Sequence, residues 1–295
     1  MPLLPVSDSR LPSASVLDAA LAGLPAAAPV VILLHGYRFN PSQPGSDPHL
    51  HILSARPTRP CRKAVSWPRH LRLTGDSGLA IGFGWEATGS IWAAHAQAAR
   101  AGRRLAVLIG DLRRIAPDRP IHLMAHSLGA RVAFCALPLL PRHAVQRLVL
   151  LAAALSLAEA RAGLASPAGQ TAQVFNVVGR ENAVFDLLLR AALPLGGARL
   201  GRRRIIAANW LDLPLDTRAA LRGLAGLGYP ITPPAALVCH WSSYLRPDVW
   251  RLYRGLLLTP RQTPMPLLRD QLGPPAGPKA KSARRPLPFR RQSPS

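Results

Sequence analysis

The stretch Ile121-His122-Leu123-Met124-Ala125-His126-Ser127-Leu128-Gly129-Ala130 restricts the fold of this chain more than any other. Its apolar first half reads as a buried strand, its Ala-rich continuation reads as a helix, and a serine stands at the break. A strand that turns sharply into a helix through a serine between small residues is the setting of a nucleophile elbow. The turn crowds the serine backbone and exposes its hydroxyl, and the neighbours must be small because strand and helix pass close together. The pentapeptide here is Ala125-His126-Ser127-Leu128-Gly129, with a methyl group at the first small position. Such a pentapeptide is common by itself, so the rest of the chain has to supply its partners.

The surrounding pattern is that of an α/β protein. Val30-Val31-Ile32-Leu33-Leu34 is a further apolar run of strand length, too continuous for a sheet with one wet face, Leu79–Trp85 reads as a second buried strand, and Gln146–Ala153 and Gln173–Val178 read as two more strands. Helical stretches alternate with them: Val16–Gly23, a long one capped by Ser90 and running to Ile115 with a possible break at Gly102, Leu128–Leu137, Ser156–Gly163, Phe185–Leu193 and Pro247–Leu258. Strands alternating with helices predict a mostly parallel sheet with right-handed crossovers. Residues 39–78, rich in Pro and Gly, predict a long connection with one helix near His49–Ala55, and such a loop often builds a pocket wall. Residues 205–240, with Trp210, Asp212 and Asp216, read as irregular, and Arg202–Arg204 as a solvated basic run. The 295 residues suit one domain over 1–259, with its core at about 30–258. Residues 260–295, with nine prolines and scattered Lys and Arg, read as a disordered tail.

A serine hydroxyl needs a base, and the base needs an orienting group. On an elbow of this kind the chain order is Ser, acid, His. Of the nine histidines only His143 and His240 follow Ser127, and His143 belongs at the far end of the helix after the elbow. His240, in Val238-Cys239-His240-Trp241, is therefore the candidate base. Five carboxylates lie between the two: Glu159, Glu181, Asp186, Asp212 and Asp216. Glu181, three residues beyond the strand ending at Val178, is favoured over Asp186, one helical turn later; either can instead serve the following helix N-terminus. Two backbone N–H donors would hold an oxyanion: that of Leu128, after the serine, and that of Tyr37, after the strand bearing His35-Gly36. His35, Gly36 and His126 are expected to border the substrate.

With Leu34-His35-Gly36-Tyr37, the elbow from Ala125 to Ala130, Gly179-Arg180-Glu181-Asn182 and His240, the chain resembles the α/β-hydrolase superfamily in its lipase- and esterase-like range. The resemblance spans about residues 30–258. It implies an α/β-hydrolase fold, a Ser-acid-His site for acyl transfer, and no metal or organic cofactor. Ala125 replaces the usual first glycine, and Asn182 stands where the family often has an aspartate.

Composition bounds the alternatives. Three separated cysteines, Cys61, Cys135 and Cys239, form neither a disulfide framework nor a zinc knuckle, and with no basic, apolar leader they point to the cytoplasm. The net charge of +23 raises nucleic-acid binding, but no RNA-binding aromatic motif or recognition helix accompanies it. Solvated basic faces, with weak attraction to anionic surfaces, explain the charge. The expected partner is a small acyl ester or thioester, with no membrane span and no specific nucleic acid. A catalytically inactive hydrolase-like binding or scaffold protein is the alternative.

Overall fold

A computed structural model describes residues 3–272 apart from 59–60, 62, 74, 194–204 and 206. Seven strands form one parallel sheet in the order β1-β3-β2-β4-β5-β6-β7. They are β1 (Leu3–Ser7), β2 (Val30–Leu34), β3 (Leu79–Gly84), β4 (Ile121–His126), β5 (Arg147–Leu151), β6 (Gln173–Val178) and β7 (Trp210–Pro214). The helices, in chain order, are α1 (Ala14–Ala22), α2 (Trp67–His70), α3 (Ile91–Ile115), α4 (Gly129–Ala136), α5 (Leu157–Ala165), α6 (Pro167–Thr171), α7 (Ala183–Ala192), α8 (Arg218–Gly226), α9 (Ser242–Leu245), α10 (Val249–Leu258) and α11 (Met265–Leu272).

The apolar runs are continuous because both faces of the sheet are covered. Val30, Ile32 and Leu34 of β2 join the core formed with α1, α3 and α4, whereas Val31 and Leu33 join the opposite core around Trp67 and Trp250. Helix α3 presents Ala94, Ala98, Ala101, Leu105 and Leu112 along one stripe, and the Ser90 hydroxyl caps it by accepting from the Ala93 N–H at 3.1 Å. Gly102 does not break this helix. A Cβ there would lie 2.6 Å from Cys135 Cβ, so the glycine lets α4 pack closely.

The chain leaves β2 toward β3 on one side and returns through α3 to β4 on the other. The crevice above the carboxyl ends of β2 and β4 is thus a topological switch point, where ligands bind in open α/β sheets. His35-Gly36-Tyr37 and Ser127 both emerge there.

Two expectations are corrected, and one strand lies in a segment for which the sequence offered no reading. Residues 210–214 form β7, an ordered edge strand in which Asp212 accepts from Asn176 Nδ2 and Trp210 Nε1 at 2.8 Å each. Residues 3–7 form β1 at the other edge. The region after 260 is structured up to 272: Arg147 donates to the carbonyls of Leu256, Pro260 and Thr263 at 2.9–3.0 Å, and α11 buries Met265 and Leu268. Arg202–Arg204 and residues 273–295 lie outside the described residues. No helix among the described residues is long and apolar enough to cross a membrane.

Candidate active site

Ser127 caps the central strand β4 in the left-handed backbone region, at φ 53°. A non-glycine residue held there is strained, and it persists only where its surroundings over-determine it. Here the Ser127 N–H donates to Leu151 O at 3.0 Å, and its carbonyl accepts from the Ala130 and Ala154 amides at 3.1 and 3.0 Å. Gly129 is equally constrained: a Cβ would lie 2.6 Å from the carbonyl oxygens of both Leu34 and His35. The first small position tolerates its methyl group, since Ala125 sits fully buried in the core.

The β2 loop closes on the serine from the other side. A Cβ on Gly36 would lie 2.8 Å from Ser127 Cβ and 3.0 Å from His126 O. Arg38, at φ 77°, turns the chain directly after Tyr37 and donates its amide to Ala87 O at 2.8 Å. Among the described residues the Tyr37 and Leu128 amide N–H groups donate to no protein acceptor. His35 does not border the cavity. It is fully buried and stacked on Trp85, its Nδ1 meets Gly36 O at 2.8 Å and its Nε2 accepts the Trp85 N–H at 2.9 Å. Burial lowers its pKa to about 3, so it is a neutral brace for the loop.

His240 and Ser127 line one cavity of about 590 Å³. Its other walls include Phe39, Ile91, Phe185, Leu189, Trp241 and Tyr244, with Lys63 and Arg38 as the cations. The Lys63 ammonium lies 3.2 Å from the centre of the Trp241 ring. The His240 ring packs on Phe185 at 4.8 Å and on His126 at 4.6 Å. His126 Nε2 donates to His240 O at 3.1 Å, so His126 borders the cavity and also holds the base's backbone. Burial takes the pKa of His126 down to about 4 and that of His240 to about 2, the latter aided by His126 and Lys63. Both rings are neutral at ordinary pH.

The group facing His240 Nδ1 is Asn182 Oδ1, at 2.6 Å. Asn182 Nδ2 in turn donates to Asp186 Oδ1 at 2.9 Å. Asp186 lines the cavity, and burial raises its pKa to about 6. Glu181, the favoured acid, turns elsewhere: its carboxylate is folded over Gly179 and accepts from the Ser242 hydroxyl, and its carbonyl accepts from the Cys239 N–H at 2.9 Å. Glu181 therefore anchors the His240 loop from both sides without meeting the imidazole. Glu159 pairs with Arg131, and Asp216 with Arg180 at 3.1 Å. The spacing Gly179-x-x-Asn182, noted in the sequence as a departure, was the signal for the residue that does meet the ring.

Among the described residues no group of three His, Cys, Asp or Glu side chains has the arrangement to hold a metal ion. No protein-family model matches the chain, and a search of curated proteins finds no match either.

Proposed function

We propose that the chain is a serine hydrolase of the α/β-hydrolase type, cleaving a carboxylic ester or thioester through an acyl-enzyme. One observation carries the reading. A strained serine at the carboxyl end of the central strand shares a cavity with a neutral histidine whose Nδ1 is held by a hydrogen-bond acceptor. With Asn182 Oδ1 accepting from Nδ1–H, the Nε2 lone pair is free to act as base. Ser127 Oγ attacks the acyl carbonyl carbon while its proton passes to His240 Nε2. The Tyr37 and Leu128 N–H groups receive the oxyanion. Collapse expels the leaving group, which takes the proton from Nε2, and water then repeats the sequence on the acyl-enzyme. The largely apolar walls suit an acyl chain or aromatic acyl group, and the cytoplasm suits the sparse cysteines.

A second reading is favoured by Asn182 itself. A neutral amide does not stabilise an imidazolium as a carboxylate does, and a site without that charge can persist as a binding pocket. Chromogenic acyl esters of graded chain length decide between the readings. Hydrolysis lost in Ser127→Ala supports the hydrolase; equal rates for the wild type and Ser127→Ala across the series support the binding protein.

A further inference from the structure

We infer that Asp186 is a positioning residue that sets the proton on His240 through the Asn182 amide, an inference that rests on the hydrolase reading for its consequence but not for its geometry.

An asparagine amide has nearly the same shape in both of its orientations, and its two ends do opposite things. With Oδ1 toward the ring, it accepts from Nδ1–H and leaves Nε2 as a base. With Nδ2 toward the ring, it donates to Nδ1 and the proton moves to Nε2, where it blocks proton uptake from Ser127. In serine proteases an asparagine that enforces this second tautomer lowers kcat by about 10⁴. The neutral imidazole of His240 can present either nitrogen as donor, so the hydrogen bond at Nδ1 decides between the two forms.

The choice must come from the other end of the amide. There the partner is a carboxylate, Asp186 Oδ1 at 2.9 Å from Asn182 Nδ2. An ionised carboxylate only accepts, so it requires the amide's NH₂ group and turns Oδ1 to His240, where the contact is 2.6 Å. Asn182 is buried, which denies the flipped amide compensation from water. The burial of Asp186 leaves it ionised above about pH 6, so the selector is in place at neutral pH. The three side chains form a directed line: carboxylate, amide, imidazole. The negative charge that a Ser-His-Asp site places against the ring is here one amide further away.

Two readouts on the full chain test this, both at pH 8. The first is the ¹⁵N imidazole spectrum of His240, assigned by its loss in His240→Asn, which reports which nitrogen carries the proton. The second is the rate at which a fluorophosphonate probe labels Ser127. The wild type should show the Nδ1–H form. Asp186→Asn keeps the shape but supplies a side chain that satisfies either amide orientation. It should bring in the Nε2–H form and slow labelling about tenfold, the population change that one orienting hydrogen bond supports. The swap Asn182→Asp with Asp186→Asn restores a one-way line and should restore both the Nδ1–H form and the labelling rate. Asp186→Asn with an unchanged Nδ1–H form, or a swap that stays like the single variant, overturns the inference. A wild type in the Nδ1–H form that the probe does not label would instead refute the hydrolase reading, while the tautomer spectra still decide the role of Asp186.

Discussion

Asp186→Asn should make the protein more stable while making it a slower enzyme, and the size of the gain should depend on pH. The carboxyl of Asp186 is raised from 3.8 to about 6 by burial. A raised acid binds its proton more tightly in the folded state than in the unfolded chain, so ionising it opposes folding. As pH climbs from about 4 to about 6 the unfolded chain gives up this proton first and stability falls; above about 6 the loss is complete. At about 1.4 kcal/mol per tenfold in proton affinity, the full loss is about 3 kcal/mol at pH 8, an upper bound because the side chain is only partly enclosed. At pH 5 about half of it is present. Asparagine removes this term and keeps an oxygen that accepts from Asn182 Nδ2, so no buried donor is stranded. Urea unfolding followed by tryptophan fluorescence at pH 5 and pH 8 measures both variants. The account requires a gain by Asp186→Asn that is larger at pH 8 than at pH 5. A variant less stable than wild type at pH 8, or a gain independent of pH, would refute it.

Other substitutions separate the roles assigned to neighbouring residues. Asn182→Ala should lower kcat by roughly 10² or more, whereas Glu181→Gln, which keeps a group able to accept from Ser242, should stay within about threefold; the reverse ranking would return the orienting role to Glu181. Gly36→Ala places a methyl group against Ser127 Cβ and His126 O, and should cost about 1–3 kcal/mol of stability and more in kcat than in KM, measured on any ester the wild type cleaves. Leu268→Ala should destabilise the fold by about 2–5 kcal/mol in urea; a neutral result would mean that α11 does not pack on the core.

What the sequence made legible follows from where each element lies. The five inner strands were readable because they are covered on both faces, so their residues are predominantly apolar: β2 and β3 have no polar side chain, and β4, β5 and β6 are broken only by His122, His126, Arg147, Gln173 and Asn176. The two edge strands were not. Pro5 in β1, and Asp212 and Pro214 in β7, break the apolar pattern, and an edge tolerates them because one side of its backbone has no ladder to complete. Helix α11 was hidden by Pro260, Pro264 and Pro266, which frame and start it; its hold on the core comes from Met265, Leu268 and the distant Arg147. At the site, chain order and strand ends were enough to nominate Ser127, His240, Tyr37 and Leu128, four residues that the fold brings to one cavity. The partner of the imidazole was beyond that logic. Glu181, Asn182 and Asp186 all follow β6 within eight residues, and which of them faces His240 depends on the winding of the turn at 180–182. That turn points Glu181 back over Gly179 and Asn182 toward the ring.

The most direct test of the account is mass spectrometry of the protein after reaction with a fluorophosphonate. The account predicts one adduct, on Ser127, formed by the wild type and reduced at least about 10³-fold in His240→Ala. A folded wild type that carries no adduct on Ser127, or one that labels equally well without His240, would contradict it.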